Sequence, residues 1–377
     1  MKTMIYFTIG TLMLVFLVSC EKSNMQHHPN EKPASLTPEE LKSVDYFDAG
    51  KMEQEENLKK GHNPKVLVAN RGSGTVSVIN TGTDAVDQTV MLPDNAEPMY
   101  VIRQPFSDRV FVGDRANNRL VVLNDNDYSV ETTVDVGQGV FHMWSDYFGH
   151  QLWVVNDVDK TLSVINTHSL ETLATVPIPA DLAALNGFPH DVMVSPAGFL
   201  AYVTILGVDG DKDYVVQYYT PTFTEIGRAA VGKDAHLSLQ FFDDHLFVPC
   251  QNANAVYVID RFSMDIAKTI DVPGAHGAGM PVFGGKFYTT NISGGGTDGI
   301  YVIDIHTQDV IGTVNTPFPV PHNLSVKFNG RKKMYVTHSG GTADQVSVYK
   351  IIGNNGIPLH IKDITVGLNP FGISPMY

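Results

Sequence analysis

The chain has 377 residues and carries 26 Lys and Arg against 40 Asp and Glu, a formal charge of −14. With 43% hydrophobic residues, 33 Gly, 21 Pro and two Cys it is not a disordered chain, a disulfide scaffold or a multi-span membrane protein. Its negative field argues against nucleic acid as a partner, and 14 His are its one unusual count.

Lys2 and the apolar run Met4–Val18 have the form of a signal-peptide core. Leu17-Val18-Ser19-Cys20 resembles a bacterial lipobox, which implies removal of residues 1–19 and acylation of Cys20. Two or more acyl chains hold a protein stably on a membrane. The expectation is a lipoprotein of the bacterial cell envelope, anchored in the outer membrane before any other, facing the periplasm or the cell exterior. Loss of Lys2 makes the mature charge −14 − 1 = −15. Cys250 is then the one free thiol, and no internal disulfide can form.

Residues 20–64 read as a polar tether without strand-like alternation. Within it Thr37-Pro38-Glu39-Glu40 is a capping box with Pro at the first helical position, predicting one or two helical turns interrupted near Gly50. His27-His28 read as solvated tether residues.

From residue 65 to 377 the sequence repeats. VLVANRGSGTVSVINTGTDAVDQTVML (66–92), LWVVNDVDKTLSVINTHSLETLATVPI (152–178) and LFVPCQNANAVYVIDRFSMDIAKTIDV (246–272) share one plan: apolar run, polar turn, alternating run, turn, third strand. A period of 40–50 residues with about four short strands predicts propeller blades. Each unit opens on a further short strand: Pro98-Met99, Phe141-His142, Pro189-His190, Ala235-His236, Ala275-His276, Pro321-His322 and Pro370-Phe371. The first repeat lacks its opening strand and the last opening lacks a repeat. The fold class is therefore all-β: a seven-bladed β-propeller of four-stranded antiparallel blades. It is closed by pairing of the C-terminal strand with the blade begun at residue 65.

PHDVMVSPAGFLAYVT (189–204), PHNLSVKFNGRKKMYVTHSGG (321–341) and TVSVINTGTDAV (75–86) resemble the YVTN family of β-propeller repeats. The resemblance implies the fold. It implies little about function, because the family includes surface-layer proteins, electron-transfer accessories and enzymes.

The first strand of a propeller blade lines the central channel. In the register above, its second residue reads Met99, His142, His190, His236, His276, His322 and Phe371 around the ring. Five consecutive imidazoles at one channel mouth predict a transition-metal site, because neutral imidazole is a preferred ligand and a bound cation relieves the cost of burying it unpaired. His142, His190, His236, His276 and His322 are the expected ligands, with Met99 supplementary. The second strands end at the same mouth in Asn70, Asp114, Asn156, Ile205, Cys250, Asn291 and His338, making Cys250 and His338 outer candidates. Imidazole with a thioether nearby suits copper, before zinc or iron. The ring is similar to the propeller of nitrous oxide reductase, whose seven hub histidines hold a copper–sulfide cluster. Here Met99 and Phe371 stand in two of the seven places, and that enzyme's second, Cys-containing copper domain is missing. The similarity implies simpler copper binding, or electrons accepted from a separate periplasmic electron-transfer or metal-handling protein.

Two other readings stay open. One is a metal-free scaffold for a protein, glycan or tetrapyrrole. The other is a His- and metal-dependent lyase or hydrolase at the channel mouth. No catalytic residue is specified, since haem-attachment, phosphate-loop and nucleophile-elbow motifs are all missing.

Overall fold

A computed structural model describes residues 36–47, 65–104, 107–239, 243–279, 284–327 and 332–374. The predicted signal segment, Cys20 and His27-His28 lie outside them. No described helix is long and apolar enough to cross a membrane.

Seven four-stranded sheets, all strand pairs antiparallel, form the blades. Blades 1 to 7 begin with the first strands Pro98–Arg103, Val140–Ser145, Phe188–Val194, Ser238–Leu239, Ala275–Gly279, Pro321–Lys327 and Pro370–Ile373. Blade 7 takes its other three strands from the start of the repeats, Lys65–Asn70, Thr75–Asn80 and Ala85–Met91. The closing pairs are Val68 with Ile373 and Asn70 with Pro370. Ser374 adds two bonds: its N donates to the Leu67 carbonyl at 2.9 Å, and its hydroxyl accepts from Leu67 N at 3.0 Å. Joining the two ends of the repeat region covers the edge of Lys65–Asn70 that the missing opening strand would have left unpaired.

Second and third strands are apolar on both faces because each blade packs against two neighbours. Lys65–Asn70 and Thr75–Asn80 are buried almost throughout, whereas the outer strand Val130–Asp135 buries one residue. The core is accordingly a set of clusters between blades. Phe247, Val256 and Val258 of blade 4 meet Phe287 and Ile303 of blade 5, and Tyr335 and Val348 of blade 6 meet Val66 and Ile79 of blade 7.

The capping box forms as read. Helix α1, Pro38–Val44, starts at Thr37, whose N donates to Glu40 Oε2 at 2.7 Å while its hydroxyl accepts from Glu40 N. This segment is packed on the propeller rather than free of it. Leu41 is buried with Met193, Leu200, Phe262 and Met264, and Lys42 pairs with Asp244. Asp45, also buried, accepts from Ser195 Oγ and from Arg261 Nη1, both at 2.5 Å. Ser195 follows a first strand and Arg261 a third strand, so α1 binds the face opposite the histidine mouth.

Candidate metal centre

At the start of each first strand, or just ahead of it in blade 4, one residue pairs near the end of the second strand: Pro98 with Asp114, Val140 with Asn156, Pro189 with Ile205 and Ala235 with Cys250. Ala275 with Asn291, Pro321 with His338 and Pro370 with Asn70 complete the ring. In six blades the register then slips by one residue, a β-bulge that covers the next two positions. Bulges re-aim side chains, and in blade 2 the two bulge residues, Phe141 and His142, both contact the His190 ring.

This pairing corrects the predicted register in blade 2. Val140, not Phe141, is the paired residue, so Phe141 stands level with His190 and His142 lies one residue further along. The register position therefore reads Met99, Phe141, His190, His236, His276, His322 and Phe371. It carries four consecutive histidines rather than five.

Six of these rings form a closed circuit. Centroid separations run Phe141–His190 4.8 Å, His190–His236 4.9 Å, His236–His276 3.9 Å and His276–His322 5.0 Å. His322–Phe371 at 4.1 Å and Phe371–Phe141 at 6.0 Å complete it. Tyr100 and His142, from the second bulge positions of blades 1 and 2, stack on each other at 3.8 Å. His142 also approaches His190 at 5.3 Å and His236 at 6.2 Å, so it rejoins the ring despite its register.

The electrostatics favour neutral imidazoles. Burial pushes His190 and His322 down to about 3, helped by the neighbouring His142 imidazole. Burial and adjacent imidazoles likewise hold His236 and His276 well below their usual range. His142 is oriented by Asp191, its Nδ1 lying 2.9 Å from Asp191 Oδ1. Burial raises that carboxyl, but His142 together with the Leu237 N–H holds it below the ordinary range, as a carboxylate. A carboxylate accepts, so His142 Nδ1 donates to it and Nε2 is the ring nitrogen left for a ligand. His142 Nε2, His190 Nε2, His236 Nε2 and His276 Nδ1 are all buried with no hydrogen-bond partner among the described residues.

Among the described residues, two groups bring three ligand atoms within 4.8 Å of one another: His142, His190 and His236, and Asp234, His236 and His276. Four of the five predicted histidines are thus gathered into a donor set. His322 belongs to neither group; it stacks on His276 and meets Phe371 at a tilt, with its Nδ1 3.3 Å from Asn323 Nδ2.

The supplementary candidates lie elsewhere. Met99 is fully buried in an apolar cluster with Phe111, Leu120 and Met143. Both ring nitrogens of His338 are engaged, Nδ1 with the Pro319 carbonyl at 3.1 Å and Nε2 with Ser347 Oγ at 2.9 Å. It does the work of Asn70 and Asn156 at the same strand end, which bond Ser77 and Ser163. Cys250 is fully buried, its thiol donates to the Val248 carbonyl, and burial pushes it far up, away from the thiolate a metal would need.

Asp191 and Asp234 were missed. Their signal was local: Asp191 follows His190 directly, and Asp234 precedes His236 by two residues, so each acid sits beside a channel histidine.

No family model matches the sequence, and no curated protein matches it. Among solved structures, hydrazine synthase of Kuenenia stuttgartiensis aligns with TM-score 0.58 over 74% of this chain and 89% of its own, at 12% identity. At that identity the likeness is one of fold.

Proposed function

We propose that this is a lipid-anchored cell-envelope propeller that binds a transition-metal ion, copper first, at the mouth of its channel. One observation carries the metal reading. His142, His190 and His236 each bury an Nε2 that no hydrogen bond from the described residues satisfies, and their ligand atoms converge within 4.8 Å. A buried polar atom without a partner costs about 1–3 kcal/mol, and a cation coordinated by all three removes that cost. Ligand separations in a four-coordinate site with bonds of about 2.0–2.1 Å are somewhat shorter, so the trio would close on an ion by small side-chain movements.

Three neutral imidazoles suit copper, zinc, iron or nickel, and the divalent affinity order favours copper. When bound, such an ion would supply a Lewis-acidic or redox centre. The chain's own residues would hold it, orient His142 through Asp191, and keep bulk water from the imidazoles by the aromatic circuit. The membrane contact would come through Cys20, and a periplasmic electron-transfer or metal-handling protein is the proposed partner.

The test is metal content and copper titration of the purified full chain beside a variant with His142, His190, His236, His276 and His322 all replaced by Ala. Wild type should bind about one equivalent and gain about 2.7 kcal/mol of stability at a free copper concentration 100 times Kd. The single change His236→Ala should abolish most of the affinity. If wild type and the five-fold variant bind copper equally weakly, the ring is an aromatic plug and the metal reading fails.

A further inference from the structure

The loop leading into the first strand of blade 4 is Gly232-Lys233-Asp234-Ala235-His236, and its backbone is fastened at three points. Asp234 N donates to Asp213 Oδ2 at 2.7 Å, Gln251 N donates to the Asp234 carbonyl at 3.0 Å, and His236 N donates to the Pro249 carbonyl at 2.7 Å. Lys233 is turned aside to Asp213 Oδ1 at 2.9 Å, so it does not neutralise its neighbour Asp234.

Asp234 occupies left-handed backbone, φ 63°, a region that costs energy for a residue with a Cβ. The result is a carboxylate placed at the imidazoles. Its Oδ1 lies 3.7 Å from His236 Nε2, and with His276 the three ligand atoms fall within 4.8 Å. Among the described residues no hydrogen bond is donated to the Asp234 carboxylate. Its side chain is 27% exposed against 11% for His142 of the other group, so Asp234 is the more open of these two ligands. His276 Nδ1 and His236 Nε2 are both buried without partners. His236 belongs to both groups, which makes them adjacent.

We propose that Asp234, His276 and His236 form a loading station for the cation that the inner trio retains. This rests on the metal reading above. An ion arriving from solvent is held first by the charged, partly exposed carboxylate. It then moves inward by ligand exchange: its bonds to Asp234 and His276 break, bonds to His142 and His190 form, and His236 stays attached. The transfer changes no oxidation state and needs no co-reactant. Asp234 attracts the hydrated cation and speeds capture, because charge at a channel mouth raises association rates. The carboxylate beside the trio, Asp191, is buried and already engaged by His142 and the Leu237 N–H.

Stopped-flow mixing of the full chain, freed of metal, with copper(II) chloride tests this, read as quenching of Trp fluorescence. Asp234→Asn should slow uptake about tenfold or more while equilibrium affinity stays near wild type, and Asp234→Glu should restore the rate. His190→Phe should instead lose the affinity. Asp234→Asn loading at the wild-type rate would overturn the station. So would a loss of equilibrium affinity as complete as that of His190→Phe, since Asp234 would then hold the resident ion. A wild-type chain that binds no copper at equilibrium is a different result: it removes the metal reading, and the station with it.

Discussion

The pair His142–Asp191 shows how one residue's register decides chemistry. A histidine at the level of His190 would have stood in the circuit where Phe141 now stands. One position further along the bulge, it reaches Asp191 Oδ1 at 2.9 Å through Nδ1 and shares a ligand group with His190 and His236. Removing such an orienting carboxylate costs 10–100-fold in metal affinity in comparable sites. Asp191→Asn should therefore weaken copper binding by about 10–100-fold, measured by competition with a chelator of known affinity. An unchanged affinity would mean that Asp191 does not orient a ligand. At this scale the sequence was only partly legible. His190, His236, His276 and His322 could be placed, because Pro or Ala precedes each of them. Phe141-His142 was aligned by the histidine itself, although the paired residue was Val140. A bulge adds a residue without leaving a mark in composition, so spacing alone could not reveal it.

Among the elements, the segment from Leu36 to Phe47 differs most from its expected behaviour. Its capping box is a four-residue signal and was readable. Its docking depends on Asp45 meeting Arg261 across 216 positions, together with Ser195, and no local pattern encodes such a pair. Both charged groups are nearly enclosed, with side-chain exposures of 8% for Arg261 and 0% for Asp45. Deleting one member of a buried pair strands the other. Asp45→Ala should cost about 3–5 kcal/mol, read from urea unfolding. The double variant Asp45→Ala with Arg261→Met should cost less than the sum of the two single changes. Strict additivity would show that the two residues act independently.

At the level of the whole molecule, the blade count and the closure were legible because they rest on repetition. Seven openings against six complete units leave one consistent arrangement, and the pairing of Pro370–Ile373 with Lys65–Asn70 provides it. The same ring gives the metal-free protein a pH dependence of definite sign. His190 and His322 titrate near 3 when folded and near 6.5 when unfolded. Above pH 6.5 both states are neutral and the pair contributes nothing. Between about 6.5 and 3 the unfolded chain binds protons that the folded ring refuses, so stability falls as the pH falls. The urea midpoint should drop from pH 7 to pH 4, and more steeply for wild type than for His190→Phe. Equal slopes would mean that His190 is protonated in the folded state.

The clasp at Asp45 also sets a load path. Tension on the chain ahead of Leu36 reaches the molecule first at blades 3 and 4, through Ser195 and Arg261. The residues leading on to Lys65 lie beyond that clasp, so a pull from the N-terminal side is borne there before it can peel the strand that closes the ring. Under the N-terminal lipid anchoring proposed above, a buried carboxylate would then serve as strain relief, keeping mechanical stress off the seam and away from the histidine mouth on the opposite face.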